Sequence, residues 1–173
     1  MNPRTLLLAA LLCFAGYSQA ANPPKELPKA APVTESYFRK GEFNLDLYGT
    51  GSLKNEQRDE KDIRFGVGVG GTYFFTKNFG LGLRAESDSA AHSLVDLALG
   101  RVTLRAPLSP SFAPYGFVQG GFLFERDRWQ AGAGGGLEFR ATKYIGVFGE
   151  AGLNVDTDGN GKMNGAVGVR LSF

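Results

Sequence analysis

The stretch DTDGNGKMN, residues 156–164, places Asp156, Asp158 and Asn160 at the first, third and fifth positions of an Asp-x-Asp-x-Asn-Gly run. Oxygen donors at this spacing open a calcium-binding loop, with glycine sixth to allow the sharp turn. Position twelve, where such a loop needs a bidentate glutamate, is Val167, and the flanks show no helical pattern. Asp, Asn and Gly are also what a hairpin tip requires. The stretch is therefore read as a turn, with Asp156, Asp158 and Asn160 kept as the candidate metal group. His92 is the sole histidine, beside Ser93 and near Glu86, Asp88 and Asp96. A histidine, a serine and an acid can make a nucleophilic centre. Neighbours on a strand point to opposite faces, however, so a polar loop tip is the simpler reading. GAGGG at 132–136 lacks the Lys-Ser/Thr of a phosphate loop. No catalytic residue and no cofactor is assigned.

The elements that would position these groups begin with an export signal. Arg4 supplies a positive start, and Leu6 to Ala15 form an apolar run too short to span a bilayer. Ser18-Gln19-Ala20 is a small-x-small cleavage site, so residues 1–20 read as a signal peptide. Cleavage there removes Cys13, the sole cysteine, and Leu12 before it is too large for a lipoprotein signal. Residues 21–38, with Pro23, Pro24, Pro28 and Pro32, read as an extended periplasmic linker. Residues 39–173 form the folded domain. A net charge of +2 with interspersed signs gives no nucleic-acid footprint.

From residue 41 the apolar pattern has period two, which predicts strands. In DIRFGVGVGGTYFF the odd positions are Ile63, Phe65, Val67, Val69, Gly71, Tyr73 and Phe75, and Arg64, Gly66, Gly68 and Gly70 are among the even ones. FGLGLRAE, WQAGAGGGLEFR, IGVFGEAGLNV and NGAVGVRLSF split in the same way, with an oily face opposite glycine and scattered charge. Soluble sheets also alternate. Here the strands approach the length that crosses a bilayer when tilted, and the charges fall mid-strand beside glycines. That combination predicts a closed barrel with lipid outside and a polar interior.

Eight strands are expected, at about 41–51, 62–75, 79–87, 93–106, 114–125, 129–140, 145–155 and 164–173. Short turns at 76–78, 107–113 and 141–144 face one side, and longer polar connections, including the charge run Lys54–Asp62, face the other. TKNFGLGLRAE from Thr76 is echoed by TKYIGVFGEAG from Thr142, as one kind of turn used twice. The phase places Glu42, Asp46, Glu86, Glu138 and Glu150 inside with Arg64, Arg84, Arg140 and Arg170, as a charge network filling the lumen. In the fourth strand Val95, Leu97 and Leu99 share a phase that sends Arg101 and Arg105 outward, so a bulge near Gly100 is expected to turn both arginines in. In the fifth, Val118, Phe122 and Phe124 are expected outside.

The export signal, the eight alternating strands, the aromatics beside the short turns and the terminal phenylalanine together resemble small bacterial outer-membrane β-barrels of the OmpA/OmpX-like, porin-like type. The resemblance covers about residues 40–173. Within GVRLSF, Gly168, Leu171 and Phe173 resemble the C-terminal signal read by the barrel-assembly machinery, with Ala166 where a polar residue is often found. The resemblance implies an all-β, eight-stranded antiparallel up-and-down transmembrane barrel in the outer membrane of a Gram-negative cell, reached by Sec export. Tyr73, Phe75, Phe79, Tyr115, Phe139, Tyr144 and Phe173 would form its periplasmic aromatic girdle. The implied partners are outer-membrane lipid, lipopolysaccharide and the assembly machinery, with the chain a monomer. Three roles share this fold: a non-enzymatic structural or surface-interaction barrel, a small channel for solutes or hydrophobic molecules, and a lipid-modifying enzyme. The first is the expected one.

Overall fold

The structure is a computed structural model that describes residues 35–54, 62–88, 95–124 and 127–173. Eight antiparallel strands close into a barrel in sequence order: β1 (Glu42–Lys54), β2 (Asp62–Phe74), β3 (Phe79–Asp88), β4 (Leu97–Arg105), β5 (Phe112–Leu123), β6 (Arg128–Arg140), β7 (Ile145–Asp156) and β8 (Gly161–Ser172). Closure comes from β1 pairing with β8, from Asn44↔Ser172 to Lys54↔Lys162. Backbone bonds between Phe43 and Phe173 (2.9 and 3.2 Å) extend that seam to the last residue. A closed sheet has no unpaired edge, which is what a bilayer demands of strands.

The three short turns use one device. The hydroxyls of Thr76, Ser109 and Thr142 each accept the N–H groups two and three residues on, at 3.0–3.3 Å. This explains the echo between Thr76 and Thr142 as turn chemistry. β5 starts at Phe112, earlier than its expected start, and contains Pro114. Ala106 N–H donates to the Pro114 carbonyl, so the ring nitrogen faces the same side, beyond the end of β4, where no ladder bond is lost.

The outer wall is apolar: Phe65, Val67, Leu83, Trp129, Leu153 and Val167 are all well exposed. At the short-turn end Tyr73, Phe75, Phe79, Phe139, Tyr144 and Phe173 point outward, with Tyr73 and Phe75 edge to face at 4.9 Å. Tyr115 departs from the expected girdle, being 6% exposed and turned into the lumen, because β5 buries its odd positions. Phe122, Phe124 and Trp129 form an aromatic cluster on the outside of β5 and β6, toward their loop ends.

The expected bulge in β4 does not exist. The β3–β4 ladder runs unbroken from Phe79↔Leu104 to Glu86↔Leu97. Arg101 and Arg105 face inward because the whole odd phase does, and Leu97 and Leu99 are buried inside with them. Ala98, Gly100, Val102 and Leu104 form the outer face. Two inward leucines near the loop end fill lumen volume, which removes any need for a kink.

Large inward side chains lie against glycines in register with them. Tyr48 pairs with Gly68 on one side and Gly168 on the other, Tyr115 with Gly136, and Phe117 with Gly134. A Cβ on Gly68 would collide with the Tyr48 ring, whereas one on Gly100, on the outer face, meets nothing nearer than 3.7 Å. Gly68→Val is therefore expected to destabilise the barrel by about 1–3 kcal/mol through overpacking. Gly100→Val should change stability by no more than about 0.5 kcal/mol. The urea midpoint of the folded species, read on unboiled SDS gels, checks both.

Candidate functional site

Alternation turns ionisable side chains into a narrow interior where little water can reach them. A guanidinium or carboxylate buried without a partner costs several kcal/mol. The interior resolves this in layers. Nearest the short turns, Arg140 donates to Glu42 through both terminal nitrogens (2.6 and 2.8 Å) and to Glu138 through Nε (2.6 Å). Arg105 donates to Glu42 (3.0 Å) and to the Lys77 carbonyl (3.1 Å). Arg170 holds Asp46 with two parallel bonds of 2.7 Å and reaches Glu138 with its remaining nitrogen.

The next layer is centred on Glu150. Its carboxylate accepts a bidentate pair from Arg84, a second pair from Arg101 (2.8 and 2.9 Å) and the Tyr115 hydroxyl (2.9 Å). Arg84 also lies 3.6 Å from Asp46, linking the two layers. Arg101 continues to Gln119 (2.6 and 3.0 Å), and Gln119 donates to Asn154 (3.1 Å). Glu86 accepts the Tyr48 hydroxyl at 3.2 Å. Among the described residues, the buried carboxylates Glu42, Asp46, Glu138 and Glu150 and the half-buried Glu86 thus share the interior with Arg84, Arg101, Arg105, Arg140 and Arg170, and Asp96 is buried at the loop end. Arg64, half-buried, lines a polar cavity of about 110 Å³ at the loop end together with Glu86, Asp96, Asn154 and Lys162.

Arg84, Arg101, Arg105, Arg140 and Arg170 each also lie over an aromatic face. Arg101 is 3.7 Å from the Phe117 ring centre, Arg105 3.8 Å from Phe74, Arg84 4.5 Å from Tyr48 and Arg170 4.8 Å from Phe148, and Arg140 is 4.4 Å from Phe38. A planar, weakly hydrated guanidinium can bond a carboxylate in its plane and stack above it, which lysine cannot do. Arg105 Nη2 has no hydrogen-bond acceptor, and its guanidinium lies over the Phe38 and Phe74 rings. Alternation alone does not give these aromatic shelves a role. The signal was present, since Tyr48, Phe74 and Phe148 fall in the glycine-and-charge phase.

Asp156, Asp158 and Asn160 form a hairpin tip. Asp156 accepts the N–H groups of Asp158 (3.0 Å) and Asn160 (2.9 Å), and Gly159 takes the left-handed φ of 82° that the tip requires. Arg128 from β6 pairs with both aspartates, so a guanidinium supplies the positive charge beside them. His92 and Ser93 lie outside the described residues, as do residues 55–61 of the charge run. Gly132, Gly134 and Gly136 of GAGGG sit in β6, beneath Asn154, Phe117 and Tyr115. Of the C-terminal residues, Gly168 lies against Tyr48, Leu171 is partly exposed and Phe173 points outward.

The two kinds of ion pair should differ in weight. Glu150→Ala strands two buried guanidiniums and is expected to cost about 3–5 kcal/mol. Asp158→Ala, at the exposed tip, should cost no more than about 1 kcal/mol. Urea unfolding of the two variants in one detergent makes the comparison.

No protein-family model matches the chain, and no curated protein sequence matches it. Solved structures do match. A transmembrane β-barrel designed de novo aligns with a TM-score of 0.54 at 17% identity, covering 78% of this chain and 98% of that one. Ail, the attachment invasion locus protein of Yersinia pestis, aligns at 0.52 and 16% identity, covering 78% and 99%. The N-terminal β-barrel domain of Pseudomonas aeruginosa OprF aligns at 0.51 and 16% identity, again covering 78% and 99%. At these identities the likeness is one of fold, and by it the chain is an eight-stranded up-and-down barrel similar to small outer-membrane β-barrels.

Proposed function

We propose that this protein is an outer-membrane β-barrel whose lumen is a packed, non-conducting plug, making the barrel a rigid, non-enzymatic mount for its loops in a structural or surface-interaction role. The observation that carries this reading is the pair of linked ionic layers, one centred on Glu42 and Glu138 and the other on Glu150, which tie opposite walls together through the middle of the barrel. The apolar outer wall, with aromatic residues toward both ends, supports a bilayer as its surroundings. Lipid and lipopolysaccharide are the contacts such a wall implies, and the monomer is the form the closed sheet favours.

Planar-bilayer recording of the refolded protein is expected to show no steady conductance, and the unboiled protein should migrate as a compact band that shifts on boiling in SDS. A reproducible wild-type pore would favour the channel reading instead. Gly168, Leu171 and Phe173 are proposed as the assembly signal, with Phe173 pointing outward beside the closing seam. Deleting Phe173 should lower barrel yield in cells severalfold more than it lowers refolding in detergent. Equal losses would make it a packing residue only.

A further inference from the structure

Residues 35–38 fall in the segment read as linker from its composition, yet Phe38 is only 3% exposed. It is seated at the short-turn end of the lumen, with its ring 4.4 Å from the Arg140 guanidinium and 4.6 Å from that of Arg105. The backbone beside it is fixed on both sides. Tyr37 N–H donates to the Pro110 carbonyl (2.9 Å), and the Tyr37 carbonyl accepts from Arg140 Nη1 (2.7 Å). Ser36 Oγ accepts the Phe38 N–H (3.2 Å), and Glu42 Oε2 accepts the Arg39 N–H (3.1 Å). Gly41, at φ 75°, then turns the chain into β1. A passing linker needs none of this. It would not bury an aromatic ring against two arginines already engaged with Glu42, nor spend a buried guanidinium nitrogen on a backbone carbonyl.

We infer that Ser36-Tyr37-Phe38 is a stopper: an N-terminal latch that closes the short-turn mouth of the lumen by capping the Arg105–Glu42–Arg140 layer. The cap works by two interactions. The ring covers guanidinium faces that would otherwise meet water, and the Tyr37 carbonyl fills a donor that the carboxylates leave free. Ala113 lies in the same floor. It is fully buried on the inner face of β5 and in register with Glu138, the carboxylate that bonds Arg140 Nε. The stopper therefore shields this floor from the aqueous side.

Two measurements on the full chain test this, and neither depends on whether the lumen conducts. In a Trp129→Phe background, Phe38→Trp provides a single indole at the latch. The inference requires blue-shifted emission and resistance to acrylamide, and an Arg140→Ala change should make the indole several-fold more quenchable. Red-shifted, freely quenched emission with Arg140 intact would overturn the latch. Sealing is read with Ala113→Cys in a Cys13→Ser background, or Ser172→Cys if that variant fails to refold, using a bulky charged maleimide. Labelling should be at least tenfold faster after Phe38→Ala than with Phe38 in place. Equal rates would mean that Phe38 is seated without sealing anything, and the stopper would be discarded even if bilayers still recorded no current.

Discussion

Everything in this barrel follows from putting charge into a space only side chains can fill. Eight strands enclose an interior with room for the residues that face it and little else. Carboxylates and guanidiniums placed there are removed from water at a cost of several kcal/mol each, repaid only by well-formed pairing. Glu150, Glu42 and Asp46 each accept at least two bonds from arginine, and Arg170 reaches across to bond both Asp46 of β1 and Glu138 of β6. Because all of these pairs except Arg140–Glu138 join different strands, the network works only in the observed register. A slip of one residue would send these charges into the apolar face.

That requirement propagates outward. Arginine fills the lumen because its plane both pairs and stacks, so the inner face needs aromatics as well as acids. Long arginines and rings crowd a narrow bore, so their in-register neighbours are glycines: Arg84 beside Gly70, Arg101 beside Gly82, Arg170 beside Gly146, and Tyr48 between Gly68 and Gly168. The glycine richness of the chain is thus a consequence of the packed interior. Glycine alone makes poor strands, and the closed ladder with its branched and aromatic outer residues compensates.

Period two made the strand count and the inward phase of seven strands legible from sequence, because burial on one face imposes alternation directly. β4 was not legible. Leu97 and Leu99 are apolar yet face inward, and only the unbroken β3–β4 register shows that the phase they share with Arg101 and Arg105 points into the lumen without a bulge. Tyr115 was misplaced for a related reason, since an aromatic near a short turn suits either the outer belt or a stack beside a buried arginine. Phe38 was hidden by composition, as a proline-rich neighbourhood does not show that one ring returns to the barrel. Pairing partners were out of reach too, because strand phase gives a face but no distance across the lumen. The fold carries less about role. A designed barrel shares it as well as two natural ones do, so the shape records what a closed transmembrane sheet requires.

A packed lumen requires that its interior charges be paired and dry. Side-chain guanidinium hydrogen exchange, followed by ¹⁵N NMR of the protein in lipid nanodiscs, measures this directly, with Arg128 at the exposed hairpin as internal reference. Resolved Nε–H signals are expected for Arg84, Arg101, Arg105, Arg140 and Arg170, exchanging at least a hundredfold more slowly than that of Arg128. Exchange of the five at the Arg128 rate would mean a hydrated, mobile lumen and would contradict the packed, ion-paired interior on which the rest depends.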